Sequence, residues 1–175
     1  MSNKIKLSNK KSKPVIPTDT LQDHYLKRVG ELVNNAALCD AILFSAFKVL
    51  SGCEGEIAIA IYFASESLSS KKNIITRIRK AVGDDVDKEI IQRLFSAVEK
   101  AQNQRNELSH ALLRISQEGE ILTHNPRNQV QPKKTITGPY LDSLLKNSSL
   151  AFLEARKAFQ ELCQKHGKPQ TISLG

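Results

Sequence analysis

From Leu21 to Leu50 the apolar residues return every three or four positions: Leu21, Tyr25, Val29, Leu32, Ala36, Leu43, Phe47 and Leu50. That is the period of an α-helix with one buried face, and some 30 residues of it make a rod on the order of 45 Å long. Such a rod cannot bury its stripe by itself, so it demands other helices of similar length beside it. The one gap in its spacing is filled by Asp40.

The rest of the chain supplies those partners. Ile57, Ile61, Ala64, Leu68, Ile75, Ile78 and Val82 keep one register through the polar residues 69–73. This predicts a single long second helix, kinked at the serines, over two short ones. Leu94, Val98, Ala101, Leu108, Leu112 and Ile115 predict a third helix over residues 85–115. Leu141, Leu145, Ser148, Phe152, Ala155, Phe159 and Leu162 predict a last one over 138–165, with Pro139 in its first turn, where a missing N–H costs nothing. Gly52, Gly55, Gly83-Asp84-Asp85, Gly167 and Pro169 mark the joints. Before the last helix, Gln117-Glu118-Gly119-Glu120 lies between two short apolar runs, 113–116 and 121–123, which reads as a small hairpin or simply a loop. Residues 124–138 carry Pro126 and Pro132 and no periodicity, and read as a mobile excursion.

The expected architecture is therefore all-α: an up-and-down bundle of about four long helices with a small hairpin or loop insertion before the last helix. One helical domain spans residues 18–166. It is preceded by a disordered basic tail, 1–17, and followed by a flexible C-terminus, 167–175. A low aromatic content and the absence of tryptophan leave Leu, Ile, Val and Ala to build the core, which suits packed helices.

The net charge of +8 is unevenly placed. Lys4, Lys6, Lys10, Lys11 and Lys13 supply five of it, and the remaining body holds 21 basic against 18 acidic residues. The global excess is thus a weak sign of a nucleic-acid surface on the fold itself. The tail either adds sequence-independent attraction to phosphates or keeps the protein soluble. Cys39, Cys53 and Cys163 are odd in number and far apart, which fits reduced thiols and argues against a disulfide framework or a zinc site. Gly52-x-x-Gly55 lacks the strand–helix setting and the lysine of a phosphate loop, so no cofactor and no metal are expected. The N-terminus lacks the apolar segment of a signal peptide, and the run 36–50 is interrupted by Asp40 and Lys48 and too short to span a bilayer. A cytoplasmic protein without membrane association is expected.

Two polar features break the pattern. Continuing the third stripe from Ala101 by four residues lands on Arg105, a core-facing position where an unpaired charge is costly. Arg105 must snorkel, meet an acid, or point into an interface or pocket. Asp40, set among apolar neighbours, is the best-placed acid. Asn106 and His110 are four apart and share a helix face, about 140° round from Arg105 for His110. One copy of the helix would not aim Arg105 and His110 at one small ligand; two copies crossing in a homodimer would. His24, His124 and His166 have no partners at suggestive spacing.

Arg105-Asn106-x-x-x-His110, near the end of the third long helix of an all-α bundle, resembles the motif of the HEPN superfamily: an Arg, a polar residue, a few variable positions and a His. The resemblance covers most of residues 18–165. It implies a homodimer with the two motif helices facing across a cleft. Many members are metal-independent endoribonucleases of toxin–antitoxin, phage-defence or stress-response systems, so RNA and an antitoxin protein are the implied partners. Carried over, His110 handles the proton of the RNA 2′-hydroxyl or of the leaving oxygen, Arg105 stabilises charge on the phosphoryl oxygens, and Asn106 orients the His or the phosphate. Other members are non-catalytic modules that bind RNA, a nucleotide or a protein, which is the alternative implied.

Overall fold

The structure, a computed structural model, describes residues 18–82, 85–109, 112–115, 121–124, 134–170 and 172. The basic tail, His110, most of the 124–138 excursion and the last three residues lie outside the described residues. Among the described residues, five helices form a bundle, α1 (Thr18–Ser51), α2 (Gly55–Phe63), α3 (Leu68–Val82), α4 (Asp85–Ser109) and α5 (Gly138–Lys165). Between α4 and α5 the described residues include three short strands, β1 (Leu112–Ile115), β2 (Ile121–His124) and β3 (Lys134–Ile136).

The ends of α1 and α5 are closed by glycine. Gly52 takes φ +66° and donates its N–H to the Lys48 carbonyl, at 2.9 Å. Gly167, at φ +61°, lets Lys168 N–H reach back to the Cys163 carbonyl, at 2.9 Å. Both conformations carry a steric penalty for a residue with a Cβ. At the other end of α5, the Thr137 hydroxyl accepts from Tyr140 N–H, and Pro139 occupies the first turn.

The expected single second helix is two helices. Ser67 is the reason: its Oγ accepts from Ser70 N–H at 3.1 Å, the N-cap bond that starts α3. The break reverses the chain. Helix α2 climbs beside α1 from Glu54, paired with Lys48, to Tyr62, bonded to Asp40. Helix α3 returns from Lys71, which also reaches Asp40. As a result α4 runs antiparallel to α1, and α5 runs parallel to it, as the ties Arg28–Asp142 and Asn35–Ser149 record.

The third helix is also shorter than expected, ending at Ser109 and not at Ile115. Leu112–Ile115 instead pairs antiparallel with Ile121–His124, Leu113 opposite Thr123. The hairpin alternative is thus the one adopted, and it is extended by β3, which pairs with β2 through Ile121–Ile136 and Leu122–Thr135. That third strand falls in the stretch expected to lack structure. Local propensity for these short apolar runs is ambiguous, and cross-strand pairing decides it.

The core has two parts. The larger, built on Ile42, Leu43, Phe47, Tyr62, Leu94, Val98, Phe159 and Leu162, fills the end where α2 and α3 overlie the three long helices. The smaller, among the described residues, joins Tyr25, Leu32, Leu108, Leu141 and Leu144 from α1, α4 and α5. Helix α1 is long and apolar enough to cross a membrane by length and composition, and half of that window is buried inside the fold, as befits a central core helix.

Candidate functional site

Arg105 and Asn106 lie in the last turns of α4, beside the smaller core. Arg105 is partly buried. Its Nε and one terminal nitrogen both donate to Asn106 Oδ1, at 3.1 and 2.7 Å. A guanidinium only donates, so the Asn amide must present its oxygen. This fork uses two of five N–H donors, and three remain. Arg105 forms no ion pair among the described residues.

The expected Arg105–Asp40 pair does not form. Asp40 is taken by α3 and α2: Lys71 Nζ donates to both its oxygens at 3.0 and 2.8 Å, and the Tyr62 hydroxyl donates at 3.0 Å. The ammonium also lies 4.6 Å from the Tyr62 ring centroid and 5.2 Å from that of Phe63. Burial, and then the Asp40 charge, push the Tyr62 hydroxyl well above its ordinary range, so it stays a protonated donor. Burial pushes the neighbouring Cys39 thiol up to about 12, with Asp40 adding to the effect. Asp40 therefore belongs to the joint between α1, α2 and α3.

His110 lies between Ser109, where α4 ends, and Leu112, where β1 begins, outside the described residues. The structure brings Arg105 and Asn106 together and leaves Asp40 to another task.

Where α1 and α4 pack side by side, a groove runs along the line between them. Helix α3 occupies that groove at its lower end, where Lys71 meets Asp40 on α1 and Lys72 meets Glu99 on α4. Beyond the α3 N-terminus the ridge of α1 continues from Asp40 through Ala37, Val33, Gly30 and Leu26, all four exposed. The facing ridge of α4 continues from Glu99 through Gln102 to Asn106, both partly exposed. Nearby, Tyr140 donates its hydroxyl to Glu107 and so fixes the start of α5 against the end of α4.

Three buried polar atoms lack a hydrogen-bond partner among the described residues: Tyr25 Oη, Gln104 Oε1 and Ser148 Oγ. Such atoms are few in folded proteins. Tyr25 is in the smaller core and Gln104 adjoins Arg105. The antiparallel register that joins Arg93 to Glu161 and Glu107 to Tyr140 sets Ser148 near the level of Gln104. All three therefore gather at the motif end.

The opposite end holds a cluster that sequence reasoning missed. Asp87, 1% exposed, accepts Lys165 Nζ at 3.0 Å and faces His166 Nε2 at 3.1 Å. An acid in the first turn of α4 and bases at the end of α5 complement both helix dipoles, so the cluster locks two helix ends. Its signal was available: Asp87 stands seven residues before Leu94, on the apolar stripe. At that same end a cleft of about 240 Å³ is lined by Ser45, Lys48, Val49, Glu54, Phe159, Lys168 and Pro169. No group of three or more metal-ligating side chains converges among the described residues. By helical rise, Asp87 is about 27 Å from Arg105.

Comparison with protein-family models, with curated proteins and with solved structures found no match.

Proposed function

We propose that the protein is a metal-independent endoribonuclease of HEPN type that acts as a homodimer, with Arg105, Asn106 and His110 as its working set. The observation that carries this reading is the state of Arg105. A partly buried guanidinium on a core-facing ridge is held by a neutral amide, meets no carboxylate among the described residues, and has three further N–H donors with which to bind an anion. A structural arginine at such a position is expected to meet a carboxylate, as Lys71 does.

In the proposed reaction the 2′-hydroxyl of a ribose attacks the adjacent phosphorus and the 5′-oxygen of the next nucleotide leaves. One His110 takes the proton from the attacking hydroxyl and the other, from the second copy, gives one to the leaving oxygen. Arg105 binds the phosphoryl oxygens as negative charge builds on them, and Asn106 holds the fork in line. The exposed Leu26 and Val33 beside the groove give the second copy an apolar footing. A role in toxin–antitoxin, phage-defence or stress response, with an antitoxin as a further partner, follows from the same reading.

The alternative, a non-catalytic helical dimer that binds RNA, a nucleotide or a protein, draws on α2. That helix leaves Ile57, Ile59, Ile61 and Phe63 exposed, an apolar surface suited to a protein. Incubation of RNA with the protein in excess EDTA separates the two. The nuclease reading expects cleavage by wild type and none by His110→Ala; equal, negligible cleavage by both sinks it.

A further inference from the structure

Helix α3 differs from every other helix in its charge. It contains Lys71, Lys72, Arg77, Arg79 and Lys80 and no acidic residue. Residues 18–175 as a whole carry a net +3, so the rest of the body, without α3, is net −2. The positive excess beyond residue 17 is therefore concentrated on one helix of 15 residues.

Two of the five charges are spoken for, Lys71 by Asp40 and Lys72 by Glu99. Arg77, Arg79 and Lys80 meet no acid among the described residues. Arg77 and Lys80 are exposed and Arg79 is partly so. Along most of α3 the apolar residues turn inward, Ile75 into the core and Leu68, Ile74 and Ile78 against it, and only its last two residues, Ala81 and Val82, are apolar and exposed. The outward face is left to Ser69, Ser70, Asn73, Arg77 and Lys80, all exposed. Cations interspersed with hydroxyls and an amide suit a polyanionic strand; a lipid surface calls for an apolar outward face.

The position of the helix adds direction. Helix α3 lies in the groove between α1 and α4, and its N-terminus points along that groove toward the end of α4 that carries Asn106 and, beside it, Arg105. From Lys80 up to Lys72, and from Glu99 up to Asn106, the helical rises give a path of roughly 22 Å. That is a length of a few nucleotides in an extended strand.

We propose that α3 is the backbone track for single-stranded RNA: Arg77, Arg79 and Lys80 bind phosphates, and Ser69, Ser70 and Asn73 lead the strand up to Arg105. This rests on the ribonuclease reading and names how the substrate enters its site. Phosphate contacts of this kind position a strand without selecting its sequence.

The test is fluorescence anisotropy of a labelled single-stranded RNA titrated with the full chain at several salt concentrations. Wild type is compared with R77Q/R79Q/K80Q, with the milder R77Q/K80Q, which changes only exposed side chains, and with R156Q/K157Q on α5 as a charge-matched control for the milder variant. The track expects the triple variant to bind roughly tenfold more weakly at low salt, with a log–log salt slope shallower by about 2. The double variant falls between, and the α5 control matches wild type. If RNA binds wild type and the triple variant alike, with the same slope, the track is wrong while the nuclease reading stands. If wild type neither binds nor cleaves RNA, both fall. If anionic phosphatidylserine vesicles retain wild type and release the triple variant while RNA binding is unchanged, the patch serves a lipid surface and the track is overturned.

Discussion

Asp40 and Arg105 pose the same physical problem in two places, and the fold answers it differently. Each is a charged residue set on the apolar ridge of a long helix. At Asp40 the fold brings a complete set of partners from far along the chain: an ammonium 31 residues away, a tyrosine hydroxyl 22 away, and two rings over the ammonium. At Arg105 the partner among the described residues is the next residue, and it is neutral. The first arrangement neutralises its charge and seals a three-helix joint. The second orients its charge and keeps it. A buried charge with its needs met is architecture; a rigid one left open to an anion is suited to chemistry.

The largest separation between the two is expected from activity. Replacing His110 with Ala should slow RNA cleavage at least about 100-fold, the scale of a lost general acid or base, with unfolding by urea unchanged. A variant that cuts as wild type does would remove the motif end from the chemistry. The Asp40 joint should behave in the opposite sense. Asp40→Ala leaves Lys71 at 10% side-chain exposure without its carboxylate, and should lower stability by about 3 kcal/mol, read by urea unfolding. RNA cleavage by the folded fraction should persist. A loss under about 1 kcal/mol would mean the joint is not the structural tie described.

Two smaller effects refine the architecture of that end. Ser67→Ala removes the cap that starts α3 and should lower stability by about 1 kcal/mol. No change would place the α2–α3 break under tertiary control alone. The Arg93–Glu161 pair bears on pH. The hydrogen bond from Arg93 holds the Glu161 carboxyl below the usual carboxylate range, against the opposing effect of burial. Stability from a depressed carboxyl is present above its unfolded value, about 4.3, and is lost as pH falls through its folded value. Glu161→Gln should therefore cost a few tenths of a kcal/mol at pH 7, since the pair is about a third exposed, and the deficit should vanish in acid. A deficit that grew in acid would assign the opposite sign to the pair.

The long helices were legible because their stripes are long: α1 and α5 follow their apolar residues with bounds near those expected. The α2–α3 break was hidden by the same rule. Ile57, Ile61, Ala64 and Leu68 stay in register straight across it, and only Ser67, a cap by residue type, marks it. The end of α4 was hidden because Leu108 and Leu112 continue the helical spacing, while the pairing of β1 with β2 depends on residues beyond the turn. For the site, sequence located Arg105 on the ridge but not its partner. Adjacent residues on a helix do not face each other, so only the length of the guanidinium arm lets it fold back onto Asn106. Asp40 was mispaired for a simpler reason: Lys71 looked like one cation of a polar patch until α3 was seen to turn back along α1.

The most direct measurement is made on Arg105→Ala, following urea unfolding and RNA cleavage in the same preparation. An oriented, uncompensated charge predicts an unfolding free energy within about 1 kcal/mol of wild type and cleavage down about 100-fold or more. A loss of about 3 kcal/mol or more in stability, with cleavage by the folded fraction intact, would make Arg105 a structural residue and contradict the account.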